Sequence, residues 1–508
     1  MTILIGEGFS NLRRMPSRAL DFLTMQGNAG NVGEVGARAL ACCLATLAAL
    51  MIAPSESPAA KKPGLVAKSV PGTPPAAFIL GTIGKRALYF DDFSTNSDLF
   101  VTTGKRGGTR RLRRGTAPPT AAASAPRVNS AEPYEATDSG RIVFALEDSD
   151  HGREWWSTDG TSAGTRMLVD ATPGPASSVG QYDAPVYMGG DKVIIPVSDP
   201  EHGREWWVTD GTPEATRLIA DINPGPASSH FDFTQVDRIK AGGLLYFTAK
   251  SNSSDQVQRL WRTDGTEAGT FSLGVVLLPG GLVGGEVDGE LLFNGGPFYG
   301  QSSPPNAIWR TDGTVEGTKP YYDFPTDQPG AGGFTKAGGR LFIGINGALW
   351  RVDSPDSPPV LLRDFGATGN GITGVQADGN NRSTFGQTFG ENLAFQVLGG
   401  TPPADITVDD WISLGTPETT RPLTALDRVC TPGACTDGGR LYVTQRRGKR
   451  MLLKSSAGTR RSERKIATRG EDVGWAINGL VRAQSGTYFV NAPGGAPTNE
   501  LWKISRAR

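Results

Sequence analysis

Three histidines and a scatter of carboxylates are the residues of this 508-residue chain with most to offer chemically. His151 and His202 stand in matching segments, DSDHGREWW and DPEHGREWW, so duplication accounts for them before catalysis needs to. His230 lies in PASSHFDF, a connecting stretch. The matching segments also hold Asp148, Asp150 and Glu154, then Asp199, Glu201 and Glu205, around Gly152 and Gly203. That alternation gathers hard oxygen donors about a tight turn, which is chemistry suited to calcium. The pattern is shorter than an EF-hand loop and is clear only twice, and an ordinary solvated acidic loop is the competing reading. Calcium is the one cofactor the sequence raises; otherwise none is expected.

No GxSxG elbow, HExxH pair, Walker loop or clustered Cys/His pattern follows the N-terminal segment, which removes the commonest hydrolase, zincin and nucleotide readings. Paired carboxylates for glycoside chemistry cannot be singled out, because acids occupy turns throughout. Beyond the N-terminal segment only Cys430 and Cys435 remain, in VCTPGAC. In an oxidising compartment they would form a local disulfide, and two free thiols are the alternative.

Lys plus Arg equals Asp plus Glu, 51 each, so the molecule as a whole has no field to attract nucleic acid or an anionic membrane. The distribution is uneven. Acids outnumber bases roughly threefold from Ala131 to Phe233, whereas Arg440 to Arg469 carries a single acid, Glu463. Two basic segments, Lys105 to Arg114 and Arg446 to Lys465, could form one positive patch for an anionic partner, or simply be solvated faces. Nucleic acid is not expected.

At the start, Arg13, Arg14, Arg18 and Arg38 precede the apolar run Ala39 to Ala53, followed by small and helix-breaking residues near Ser57, Pro58 and Ala59. This reads as a signal peptide over residues 1–60, with Met15 or Met25 as alternative starts. A short N-terminal anchor is the rival reading. Cys42 precedes the run it would have to follow in a lipoprotein box. The expected location is periplasmic, cell-surface or secreted, with no membrane span once the leader is removed.

The elements that position all these residues are set by a repeat. EWWSTDGTSAGTRMLVD from Glu154 recurs as EWWVTDGTPEATRLIAD from Glu205, RLWRTDGTEAGT from Arg259 and AIWRTDGTVEGT from Ala307, with weaker copies from Asp98, Ala348, Asp410, Arg450 and Glu500. Nine units result. Each is preceded by a short alternating run such as RIVFALED or KVIIPVSD and followed by a strand such as TRLIADINPG. Four strands in about 50 residues is one propeller blade, whose sheet buries its faces only by stacking on neighbours. Trp156, Trp207, Trp261 and Trp309 sit mid-strand, placed to fill the space between blades. Asp159 with Gly160, Asp210 with Gly211, Asp264 with Gly265 and Asp312 with Gly313 supply the turn. Thr103, Leu414 and Ser455 stand where three other units should carry the turn Asp.

The fold class is therefore all-β: residues 61–508 form a single closed β-propeller of eight to nine four-stranded blades. The final unit ends at ELWKISRAR without its outer strand, and GLVAKSVPG, Gly64 to Gly72, aligns with what is missing, so an N-terminal strand should complete the last blade and cover its edge.

The motifs EWWSTDGT, EWWVTDGT, RLWRTDGT and AIWRTDGT resemble the ELWxxDGT repeat family of bacterial exported proteins, over nearly the whole chain from Gly64 to Arg508. The resemblance implies a repeat architecture and names no activity. The resulting expectation is a monomeric binding or scaffold module that presents loops to a protein or glycan. The alternative is an extracytoplasmic hydrolase or lyase with its site in the propeller funnel.

Overall fold

The computed structural model describes residues 65–506 apart from connecting stretches, among them 115–133, 230–237, 295–306, 366–386, 400–406, 423–440, 471–476 and 492–499. Its described residues form nine antiparallel sheets with almost no helix, the blades of a β-propeller. Blades 1 to 7 occupy residues 78–113, 134–167, 186–218, 238–276, 284–323, 331–364 and 387–422, each a four-stranded sheet whose strands A to D follow chain order. Blade 8 has three described strands, Leu441–Arg447, Arg450–Ser456 and Arg464–Gly470. Pro63–Arg508 is one compact unit.

Blade 9 is built from both ends of the chain. Ile477–Ala483, Gly486–Asn491 and Glu500–Arg506 supply three strands, and the N-terminal Leu65–Ser69 supplies the fourth, antiparallel with Leu65 opposite Arg506 and Ser69 opposite Trp502. The expected clasp is present. It continues at Val70, whose N–H donates to the Leu501 carbonyl at 2.9 Å and whose buried side chain packs with Leu501, Ile79 and Tyr89, joining the clasp to blade 1.

Strand periodicity explains the doubled tryptophan. Successive residues of a strand point to opposite faces, so Trp155 and Trp156 enter different interfaces. Trp156 packs back onto Leu99, Val101 and Leu112 of blade 1, while Trp155 packs forward onto Val193, Ile195 and Val197 of blade 3 and donates its indole N–H to the Pro196 carbonyl at 2.8 Å. The backward contact recurs: Trp261 joins the cluster of blade 3, Trp309 that of blade 4, Trp350 that of blade 5 and Trp411 that of blade 6. Trp155 and Trp206 are fully buried, and aromatic bodies of this size contribute strongly to the inter-blade layers.

Pairing register corrects one alignment. Trp156 lies opposite Phe144 and Thr158 opposite Ile142 in blade 2, while in blade 8 Lys454 lies opposite Val443 and Ser456 opposite Leu441. Lys454 therefore replaces the motif Trp there, and the turn begins after Ser456 and not at Ser455. In the eroded unit no tryptophan fixes the frame; only backbone pairing does.

Candidate functional site

The strand order gives each blade two ends. A–B and C–D turns share one end, called here the turn face; B–C loops and the D-to-A connections share the other, the loop face. The DGT motif forms the C–D turns. In blade 2 the Asp159 carboxylate accepts from the N–H and hydroxyl of Thr161 at 2.8 and 2.7 Å, the Gly160 N–H donates to the Thr158 hydroxyl at 3.0 Å, and the Thr158 and Thr165 hydroxyls bond at 2.7 Å. The same bonds recur around Asp210, Asp264 and Asp312. Burial opposes ionisation of Asp159, but the two Thr161 bonds outweigh it and hold the carboxyl below its ordinary range. Gly160 sits at φ 80°, which a side chain would strain.

These turns dock on the preceding blade. Arg86 and Arg110 of blade 1 donate to the Gly160 carbonyl at 3.0 and 2.9 Å, Ser157 of blade 2 to the Gly211 carbonyl at 2.6 Å, and Lys192 of blade 3 to the Asp264 carbonyl at 2.7 Å. The motif residues Asp159, Gly160, Asp210, Gly211, Asp264, Gly265, Asp312 and Gly313 are thus fasteners between blades.

On the loop face the acidic alternation does a different job from gathering carboxylates. Asp148 accepts from the N–H groups of Asp150 and His151 at 3.0 and 2.9 Å and from the His151 ring at 2.8 Å; Asp199 repeats this with Glu201 and His202. Gly152 follows at φ 68°, where an added Cβ would stand 2.7 Å from the backbone of Ala176 in the PGPASS connection. Glu154, 0% exposed, then accepts from the Ser178 N–H at 2.9 Å and from its hydroxyl. The connection in turn receives the Ser198 N–H of blade 3 at 2.9 Å on its Ser178 carbonyl. Blade 3 repeats the latch with Glu205, which accepts from the Ser229 hydroxyl at 2.7 Å and the Asn223 N–H at 3.2 Å.

Burial pushes both carboxyls up to about 7, against the bonds from Ser178 and Ser229 that favour ionisation. The bond to Asp148 raises the His151 ring above its ordinary value; for His202 burial works the other way but the Asp199 bond and neighbouring acids prevail. Among the described residues no group of three or more His, Cys, Asp or Glu side chains is placed to hold a metal ion. Asp150 and Glu201 contribute N–H groups to the loop turn, not a shared carboxylate cage. His230, Cys430 and Cys435 lie outside the described residues.

The basic segment of blade 1 is partly spent inside the fold. Arg111 pairs with Asp98 at 2.8 Å, while Arg113 pairs with Asp148 at 3.3 Å and lies over the Trp156 ring at 3.8 Å. Arg446 and Arg447 end the first described strand of blade 8, and Arg450 starts the next.

One feature was not legible beforehand. The innermost strands carry a polar ring at matching register: Tyr187, Lys240, Glu286 and Lys336 in blades 3 to 6. Three of the four reach back one blade. The Tyr187 hydroxyl donates to Asp138 at 2.6 Å, Lys240 Nζ to the Tyr187 carbonyl at 2.9 Å, and Lys336 pairs with Glu286. Burial works against Glu286, but the Lys336 bond and the charge of Lys240 keep its carboxyl below the usual range.

No family model and no curated protein matches the sequence. Solved structures do. A puromycin hydrolase aligns at 15% identity and TM-score 0.33, over 76% of this chain and 59% of that one. Dipeptidyl peptidase 4 of Porphyromonas gingivalis aligns at 10% identity and TM-score 0.47, over 84% of this chain and 65% of its own. The β-propeller domain of the trilobed protease from Pyrococcus furiosus, described as having an open velcro topology, aligns at 12% identity and TM-score 0.33 over its whole length and 70% of this chain. The chain spans under two thirds of the hydrolase and the peptidase. These are likenesses of fold.

The sequence signal for the latch was present in the duplicated PGPASS, which recurs 51 residues apart together with DHGRE or EHGRE. Trp155 and Trp206, the more deeply buried of each tryptophan pair, were hidden behind the motif Trp156 and Trp207. No helix among the described residues is long and apolar enough to cross a membrane.

Proposed function

We propose that this chain is an exported binding or scaffold propeller of the ELWxxDGT repeat type, presenting its loops to a protein or glycan partner. One observation carries the reading: the residues with the most chemical potential do the same structural work in two blades. Glu154 and Glu205 both latch a connection, Asp148 and Asp199 both fold a loop around a histidine, and the turn aspartates all fasten turns. A reacting centre is built once, from groups left able to meet a substrate; duplication of task points to architecture. The basic residues ahead of the apolar run Ala39 to Ala53 support export.

A thermal-shift screen of the protein from about Ala60 onward, against calcium, EDTA, neutral and anionic glycans, tests this. A ligand that binds only the folded state raises the melting temperature by mass action. A glycan-dependent rise, with the glycan recovered intact, is the expected result. Turnover of the glycan, or a rise with calcium that EDTA reverses, would replace the scaffold reading with an enzymatic or metal-dependent one.

A further inference from the structure

We propose that the two latches make the loop face of blades 2 and 3 a proton-operated fastening, firm while Glu154 and Glu205 are protonated and loosened when they ionise. The proposal concerns how the loops are held and stands whichever partner they meet.

Outer strands show why these connections need a latch. Blades 1, 4, 5 and 6 end in Thr109–Arg113, Phe271–Val276, Lys319–Asp323 and Val360–Asp364, whereas blades 2 and 3 keep only Arg166–Met167 and Arg217–Leu218 before the chain leaves the sheet. In blade 2 the connection returns to its own strand C at a few points. The Leu168 N–H donates to the Trp155 carbonyl at 2.8 Å, the Val179 N–H to the Arg153 carbonyl at 3.1 Å, and the Arg153 N–H to the Ser177 hydroxyl at 2.9 Å. Glu154, between Arg153 and Trp155, takes the N–H and hydroxyl of Ser178. Blade 3 repeats this: Ile219 donates to the Trp206 carbonyl at 3.0 Å, Ser229 to the Arg204 carbonyl at 3.3 Å, and Arg204 to the Ser228 hydroxyl at 3.2 Å, around Glu205. The carboxyl stands where outer-strand pairing is missing; the matching residues of blades 4 to 6, two before the motif Trp, are Arg259, Ala307 and Ala348.

The surroundings set the direction of the response. Glu154 and Glu205 are fully buried, and neither forms an ion pair among the described residues. The charge felt by each comes from another acid on the connection, Asp170 beside Glu154 and Asp221 beside Glu205. Oδ1 of both aspartates is buried and accepts no hydrogen bond among the described residues. The other charged groups at the blade 2 latch are Asp148, Asp150 and His151 of the B–C loop, Glu147 and Arg153 of the strands it joins, and Arg113 of blade 1, which pairs with Asp148. At the blade 3 latch they are Asp199, Glu201 and His202, Arg204 paired with Asp183, and Lys250 of blade 4, whose N–H donates to the Ser229 carbonyl at 2.9 Å. Asp170 and Asp221 also act on His151 and His202, so each connection places one carboxylate between two groups that lose protons as neutrality is approached.

Two buried carboxylates side by side are relieved by water. The connection can lift to admit it, because so little backbone pairing holds it, whereas the sheet cannot. Burial, reinforced by the neighbouring acid, raises each glutamate from 4.5 to about 7. A closed latch therefore keeps a proton that an opened one releases above 4.5, so opening becomes easier from pH 4.5 to 7 and levels off beyond.

Amide hydrogen exchange read by mass spectrometry is the test, with each rate divided by that of the unstructured chain at the same pH. Between pH 5 and pH 8, peptides covering residues 168–179 and 219–229 should lose protection roughly 30-fold. The paired outer strand Phe271–Val276 of blade 4 should change by less than about threefold. Glu154→Gln with Glu205→Gln should flatten the profile of both connections. Asp170→Asn, which removes one neighbouring acid, should flatten part of the profile of residues 168–179 and leave residues 219–229 as in the parent. Loss of protection spread equally over all blades overturns the proposal, as does a double variant with the parent's profile. Should the double variant fail to fold, the contrast between connections and blade 4 in the parent, and between blades 2 and 3 in Asp170→Asn, decides; absence of either contrast overturns the proposal.

Discussion

Replacing both buried latch carboxyls, Glu154→Gln with Glu205→Gln, should change how stability depends on pH. Gln keeps the size of the side chain and can still accept from the Ser178 N–H through its amide oxygen, but it cannot ionise. Each carboxyl is 0% exposed and is pushed from its ordinary 4.5 to about 7. A raised value means that the native state holds a proton which the unfolded chain releases, so the stabilisation is fully present below 4.5 and is lost as pH rises through 7. A shift of this size corresponds to ~3 kcal/mol per carboxyl at most, and relaxation of the loop face reduces it to about 2 kcal/mol. Urea unfolding at pH 5 and pH 8 measures the effect, with attention to whether blades unfold together. The double variant should match the parent within about 1 kcal/mol at pH 5 and exceed it by about 4 kcal/mol at pH 8. His151 and His202, also raised, keep a smaller slope of the same sign in the variant. A double variant with the parent's full slope, or one less stable than the parent at pH 8, would refute the reasoning.

Three further outcomes are expected. Trp155→Ala should cost about 3–5 kcal/mol, because its ring is fully buried and its N–H leaves the Pro196 carbonyl unpaired; denaturant midpoints compared with Trp207→Ala, which should cost less, check this. Removing residues 64–72 exposes the edge of blade 9 and strips Val70 from its cluster, so calorimetry should show a melting temperature lower by several degrees and light scattering should show association. Gly164→Ala would set a Cβ 2.2 Å from the Asp159 carboxylate and should cost about 1–3 kcal/mol, measured by urea unfolding, whereas blade 3 already carries Ala215 at the matching position.

Much of the architecture was legible because a repeat writes the same physics several times. Fixed offsets between Trp, Asp, Gly and Thr pointed to a strand, a turn and a return strand; counting them gave nine units and eight to nine blades, and the strand missing from the last unit pointed to the clasp. Local chemistry was sufficient there: alternation sets strand faces, and the Asp-Gly turn satisfies its own N–H groups. The acidic alternation was harder to read. A run of Asp and Glu around a glycine is the same string whether the carboxylates meet at an ion or each turns to a separate backbone partner, and only the packing of the PGPASS connection against Gly152 and Gly203 decided which partners they have.

The sequence by itself determined the class of the fold, the nine repeat units and the residues that close each turn, since these follow from periodicity and short-range hydrogen bonding; that the units form nine separate sheets was decided by strand pairing. Tertiary structure alone decided which neighbour each tryptophan serves, that Tyr187, Lys240, Glu286 and Lys336 align on the innermost strands, and that Lys503 stands against Gly104 from the opposite end of the chain. Contacts of that kind depend on register between blades and on ring order, which residues separated by hundreds of positions cannot announce in sequence.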